Sequence, residues 1–246
     1  MSIFEEMKYE SQMLWGLFLS DEATRKTAII LAIAVAVIVM LYGAAIHFPD
    51  VSIALAYSRE ISLSEDRSLG EIINYGLCFL SLTLFLLAAI ENQSKALGFL
   101  CAFMLFAWLD DAARYHERLG KVLSSNFELW PLPRLRSQDV GEILAWGIAG
   151  ILFASYFAVV FSCRKRGELG VLASVGGGLL LLAACGIALD MLHIAAPGRF
   201  HRLLGVIEDG GEMVAVTWIA AVALLISRKG PEYFKRVNQR NRDTSD

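Results

Sequence analysis

The chain has 246 residues, 56% of them hydrophobic, a mean hydropathy of +0.53 and a formal net charge of −3. So apolar a composition lies outside the range of an ordinary soluble domain, and so small a net charge gives nothing that points to nucleic acid. The polar stretches at either end are too short to bury cores of their own, so no appended soluble domain is expected.

Residues 1–19 place Ile3, Phe4, Met7, Leu14, Leu17 and Phe18 on one helical face, with Glu5, Glu6 and Glu10 on the remainder. This pattern predicts an amphipathic helix lying on the membrane surface, after which Ser20 or Asp21 caps the first span. Apolar runs of bilayer length follow at 28–48, 70–90, 96–116, 142–162, 170–196 and 210–227. The first ends at His47-Phe48-Pro49-Asp50 and leads into a loop with Arg59, Glu60, Glu65, Asp66 and Arg67. Glu71 opens the second. The tight turn Asn92-Gln93-Ser94-Lys95 makes the second and third antiparallel neighbours, and the third continues as helix to about Leu123. The segment 124–141, with Trp130-Pro131-Leu132-Pro133, reads as an interfacial loop, and Glu142 opens the fourth span. Small residues in the fourth span (Ala145, Gly147, Ala149, Gly150) and in the fifth (Gly176, Gly177, Gly178, Gly186) predict close packing on neighbouring helices. The sixth runs from Glu208-Asp209-Gly210-Gly211-Glu212 to Arg228-Lys229. Cys78, Cys101, Cys163 and Cys185 lie in or beside spans and read as packing residues without disulfides.

The fold class is thus all-α, a polytopic membrane protein. Residues 1–27 form an interfacial amphipathic helix, 28–228 a six-transmembrane-helix bundle, and 229–246 a polar basic tail. Lys and Arg are more numerous on the side of both termini, with Arg164-Lys165-Arg166 in a short loop there. The expected location is the inner (plasma) membrane, multi-pass, with both termini cytoplasmic.

All four histidines and most of the acidic residues then fall at the opposite, outward end. Ionisable groups at membrane depth are costly and normally have partners and a task. On a continuous helix Asp110 and Glu117 share a face, with Arg114 between them; Asp190 and His193 form one aligned pair, and Glu208 and Glu212 another. Carboxylate-x-x-His on one helix, with carboxylates from facing helices, is how metal sites are assembled in helix bundles. Asp110, Glu117, Asp190, His193, Glu208 and Glu212 are therefore the expected ligands of a divalent metal ion. Glu71, Asp111 and His116 are the expected catalytic or supporting groups. Oxygen and imidazole ligands suit Zn, Mn or Fe. Such a site supports a metal-dependent hydrolase or oxidoreductase acting on a lipid-like substrate from the bilayer. The zinc-protease pattern is absent, because His116-Glu117 is followed by Arg118-Leu119-Gly120. Two other classes fit the same residues: a cation- or proton-coupled transporter, and a structural or assembly subunit of a membrane complex.

Leu109-Asp110-Asp111 followed by His116-Glu117 resembles a motif of uncharacterised bacterial multi-pass membrane proteins, in which an Asp-Glu pair usually stands at the position of Asp110-Asp111. That resemblance covers spans two to six and implies no activity. The chain is more loosely similar to seven-span membrane hydrolases of the alkaline ceramidase type, but it lacks their closing His-x-x-x-His.

Overall fold

The computed structural model of the chain describes residues 2–47, 63, 68–131 and 135–243. Among them the regular elements are helices only: α1 (Ile3–Ser20), α2 (Glu22–His47), α3 (Leu69–Asn92), α4 (Lys95–Ala113), α5 (Tyr115–Asn126), α6 (Ser137–Ser162), α7 (Glu168–Ala183), a π-helical stretch Ala184–Leu189, α8 (Asp190–Ala195), a single 3₁₀ turn Gly198–Phe200 and α9 (His201–Asp243). Six stretches are long and apolar enough to cross a bilayer: Glu22–Ala45, Leu69–Asn92, Lys95–Ala113, Ser137–Ser162, Glu168–Ala195 and Leu203–Gln239. The protein is a polytopic helical membrane protein. The loop with Arg59–Arg67, apart from Leu63, and the Leu132-Pro133 half of Trp130-Pro131-Leu132-Pro133 fall outside the described residues, as does the side chain of His47.

The bundle is built around α9, which packs on α2, α3 and α7. Of its most apolar stretch 67% is buried, against 11% for α6 and 17% for α2. Val216, Ile219, Ala223 and Ile226 of α9 meet Leu82 and Phe85 of α3, Leu97 and Leu100 of α4, and Val171 and Val175 of α7 in one core. The outward faces of α2 (Ile29, Ile30, Ile33) and α6 (Ile148, Ile151, Leu152) are apolar and exposed, as lipid-facing surfaces must be. Aromatic rings hold α6 to α4: Phe153 lies 4.9 Å from Phe103 and 5.2 Å from Phe106, distances at which ring pairs add to plain area burial.

Several boundaries differ from the sequence reading. The last helix begins at His201, so Glu208, Asp209 and Glu212 sit inside it rather than at its start, and it runs past Arg228-Lys229 and through Pro231 to Asp243 rather than ending there. Likewise α6 starts at Ser137, which places Glu142 in its second turn. The fourth-span glycines Gly147 and Gly150 would meet nothing within 4 Å if given a Cβ, and Gly176 and Gly177 are equally open. Only Gly178, against Ile219 and Trp218, and Gly186, against Glu212, make the close approach expected of these faces.

The end that carries the termini is closed by buried polar contacts. Gln93 takes a left-handed conformation (φ 47°) to end α3. Ser94 caps α4, accepting from the Leu97 N–H, and donates to Glu168 Oε1 at 2.6 Å. Glu10 of α1 is buried, not on a solvated polar face: Oε1 accepts from the Gly167 N–H (2.7 Å) and Oε2 from the Gly170 N–H (2.8 Å). An α1 side chain thereby satisfies donors that the start of α7 leaves open. Tyr233 of α9 seals the contact by donating to the Gly167 carbonyl at 2.9 Å. Asp21, one of the two expected caps, accepts from the Thr24 N–H at the start of α2 and pairs with Arg228 at 3.1 Å.

Two outcomes follow from the Glu10 lock. A Cβ on Gly170 would lie 2.6 Å from Glu10 Cβ. Gly170→Ala is therefore expected to lower stability by about 1–3 kcal/mol, measured by thermal unfolding in detergent. Burial pushes the Glu10 carboxyl above its ordinary value of 4.5, against the opposing pull of its two backbone donors. A carboxyl raised by folding binds its proton more tightly in the native state. Its contribution to stability is then greatest below 4.5 and falls as pH climbs through the raised value. Glu10→Gln should remove that falling slope from the stability–pH profile.

Candidate functional site

The opposite end of the bundle holds a cavity of about 460 Å³ in which most of the sequence-derived residues meet. Glu71, Asp111, His116, Glu117, Asp190, Glu208 and Glu212 all line it, joined by Asn74, Glu142 and Asp209. Asp110 and His193 stand one layer back, each bonded to a residue of the wall. Among the described residues, eight carboxylates face two guanidinium groups, Arg114 and Arg136. Each Arg also has an acidic neighbour: Arg136 chelates buried Asp139 with a 2.7 Å contact, and Arg114 lies 3.9 Å from Glu117.

The layer formed by Asp110 and His116 depends on a break that the sequence reading did not contain. The third span is not one helix to Leu123. It stops at Ala113, Arg114 takes the left-handed conformation (φ 50°, ψ 49°), and α5 starts at Tyr115. On an unbroken helix residues six apart point to different sides. The reversal at Arg114 instead folds His116 back over Asp110. Asp110 Oδ1 accepts the His116 backbone N–H and Oδ2 contacts His116 Nδ1, both at 2.8 Å. With both oxygens engaged, Asp110 holds the ring and leaves Nε2 available. The shared helical face expected for Asp110 and Glu117 does not form. Burial works against the His116 imidazolium, but the hydrogen bond and charge of Asp110, with Glu117 and Glu142 nearby, outweigh it and hold His116 above its ordinary value.

A second break re-aims the fifth span. The π-helical stretch Ala184–Leu189 inserts extra backbone into the turn just before Asp190, a local irregularity that recurs at functional sites. Gly186 within it allows the Glu212 carboxylate to lie against the helix, since a Cβ there would fall 2.6 Å from Glu212 Oε1. His193 Nδ1 contacts Glu208 Oε2 at 2.9 Å, and Glu208 and Asp190 line the same cavity. Carboxylates that share a site favour a proton or a cation between them. Around the rim, Tyr75 donates to Glu71 at 2.6 Å and Gln138 to Glu142 at 2.9 Å.

Two buried oxygens in the wall, Asn74 Oδ1 and Asp209 Oδ2, have no hydrogen-bond partner among the described residues. Both are acceptors, and Asn74 is only 8% exposed. Buried polar atoms are nearly always satisfied, so these two oxygens stand out as acceptors with capacity to spare. Asn74 was absent from the sequence reading, although it lies three residues after Glu71, close to one helical turn further along α3. Among the described residues, no group of three or more His, Cys, Asp or Glu side chains is arranged to hold a metal ion. Away from the cavity, Ser81, Thr83 and Ser155 donate to the carbonyls of Leu77, Phe79 and Ile151 on their own helices. These hydroxyls add no polar route across the bundle.

Residues 28–227 match the model of a family described as a domain of unknown function, DUF8692. The chain belongs to that family. No curated protein and no solved structure matches it. The family match spans α2 to the buried part of α9, so every residue of the cavity wall lies inside it, whereas the Glu10 helix lies outside.

Close backbone approach also shapes the wall. A Cβ on Gly120 of α5 would stand 2.5 Å from Glu142 Cγ of α6. Gly120→Ala is expected to force α5 away from α6 and cost about 1–3 kcal/mol. Gly147→Ala, on the open face of the same α6, should be neutral or stabilising by up to about 1 kcal/mol. Parallel thermal unfolding of the two variants checks the contrast.

Proposed function

We propose that the acidic cavity is a divalent-cation site, taking Zn, Mn or Fe, and that it serves a hydrolytic reaction. The supporting observation is the meeting of eight carboxylates with two buried, unpartnered oxygen acceptors, Asn74 Oδ1 and Asp209 Oδ2. Asp190, Glu208, Asp209 and Glu212 are the residues that would hold the ion, with Asn74 as a neutral oxygen donor. His193, bonded to Glu208 through Nδ1, is the outer partner that orients such a carboxylate. Asp110 supports His116 rather than the ion. Because these side chains do not yet converge, loading requires their carboxylates to rotate inward.

An ion here supplies Lewis acidity and makes water a nucleophile at neutral pH. The chain's own contribution is the Asp110–His116 pair. Asp110 fixes the ring through Nδ1, so Nε2 is the proton acceptor at the cavity edge. The cavity opens on the outer face of the plasma membrane with both termini in the cytoplasm; the basic turn Arg164-Lys165-Arg166 at the other end supports that orientation. Hydroxyls tied to their own helices favour a site of chemistry over a transport pathway.

Elemental analysis of the full-length protein in detergent should find stoichiometric divalent metal. Asp190→Asn combined with Glu212→Gln should lose it. Metal-stripped protein should gain about 2.7 kcal/mol of stability when the ion is restored at a hundred times its dissociation constant. Protein that carries no ion and is not stabilised by Mn²⁺ or Zn²⁺ contradicts the proposal.

A further inference from the structure

Beside the acidic cavity lies an apolar groove of about 400 Å³ between α4, α5 and α6. Its floor is Phe106, Ala145, Trp146 and Phe153. Ala145 and Ala149, one helical turn apart on α6, leave the trough between their larger neighbours. Leu109 and Leu152 on its margins are exposed, so the groove is open sideways to the bilayer. At its closed end it reaches Asp110 and His116, and His116 also lines the acidic cavity. A narrow space of about 100 Å³ lies between the two, sharing His116 and Trp146 with the groove and Asp111, Asn74 and Glu212 with the acidic cavity.

We propose that the groove and the cavity together bind a single-chain amphiphile with a protonated amine head, which enters laterally from the bilayer. The alkyl chain lies in the α4–α5–α6 groove, and the ammonium passes His116 and Trp146 into the acidic cavity. His116, a wall of both the apolar groove and the acidic cavity, argues for one molecule that is apolar at one end and polar at the other. Charge selects the head: among the described residues eight carboxylates face two guanidinium groups, and one divalent ion still leaves that lining net negative, which disfavours phosphate and sulfate heads. Trp146, 5.3 Å from the His116 ring, adds an aromatic face for a passing cation. The inference rests on the reading of the acidic cavity as a cation site and names a class of ligand that the site and its groove would hold.

The test uses the full-length protein in neutral detergent. A long-chain primary alkylamine, the alkyl sulfate of the same chain and a short-chain amine are each followed by native mass spectrometry and thermal unfolding. Mn²⁺ stabilisation is measured in parallel. The long-chain amine should be retained and stabilising, while the sulfate and the short amine should not. Ala149→Phe, which fills the groove, should weaken the long-chain amine at least about tenfold and leave Mn²⁺ stabilisation intact. Leu152→Trp fills the same groove from its lipid side and serves if Ala149→Phe does not fold. Equal retention of amine and sulfate, or unchanged amine binding in both groove variants, overturns the inference while leaving the cation site standing. Loss of both Mn²⁺ and amine binding in the unmodified protein overturns the cation site itself.

Discussion

Carboxylates gathered at membrane depth repel one another through a medium that screens charge poorly, and each loses hydration on leaving water. A bundle that places eight of them around one cavity must supply protons, cations or donors to match, and its own residues supply few. Arg136 is committed to Asp139, and Arg114 sits beside Glu117 at the edge. Helix packing, the chain reversal at Arg114 and the π-helical stretch before Asp190 all act to hold these groups together rather than to disperse them. The cost is concentrated at one place, which is the usual mark of function rather than of stability.

The two ends of the bundle show the contrast. At the end of the termini, buried Glu10 is fully used: both oxygens accept from α7, and Tyr233 closes over them. That is a structural carboxylate. At the acidic end, Asn74 and Asp209 keep oxygens with no partner. Glu10 is thus matched by two backbone donors, whereas the Asn74 and Asp209 oxygens face the cavity without one among the described residues. The histidines follow the same logic, since His116 and His193 are each held through Nδ1 by a carboxylate, which fixes their orientation and leaves the other ring nitrogen available.

Much of this is legible in the sequence because hydropathy reports spans directly. The six apolar runs and the acidic end follow from it, and so does the gathering of residues from α3, α4, α5, α8 and α9. What the sequence hides are the places where a helix deviates without a Gly or Pro to announce it. Ala113-Arg114-Tyr115 carries no breaker, yet the chain reverses there, driven by Asp110 capping α5. The π-helical stretch is equally silent, because its residues are ordinary span residues apart from Gly186. Glu10 was read with Glu5 and Glu6 as a polar face. Yet Glu10, Leu14 and Leu17 are spaced four and three apart and share one side; only the partner donors, supplied by Gly167 and Gly170, were out of reach of local pattern. Asn74 was recoverable from its spacing to Glu71.

The most direct test is to see the ion. A cryo-electron microscopy or anomalous-scattering structure of the protein loaded with Mn²⁺ should show density between α3, α8 and α9, in contact with Asp190, Glu212 and the Asn74 carbonyl oxygen, with the carboxylates rotated inward. Density located elsewhere, or a fully loaded sample in which these side chains keep their present positions around an ion-free cavity, would contradict it.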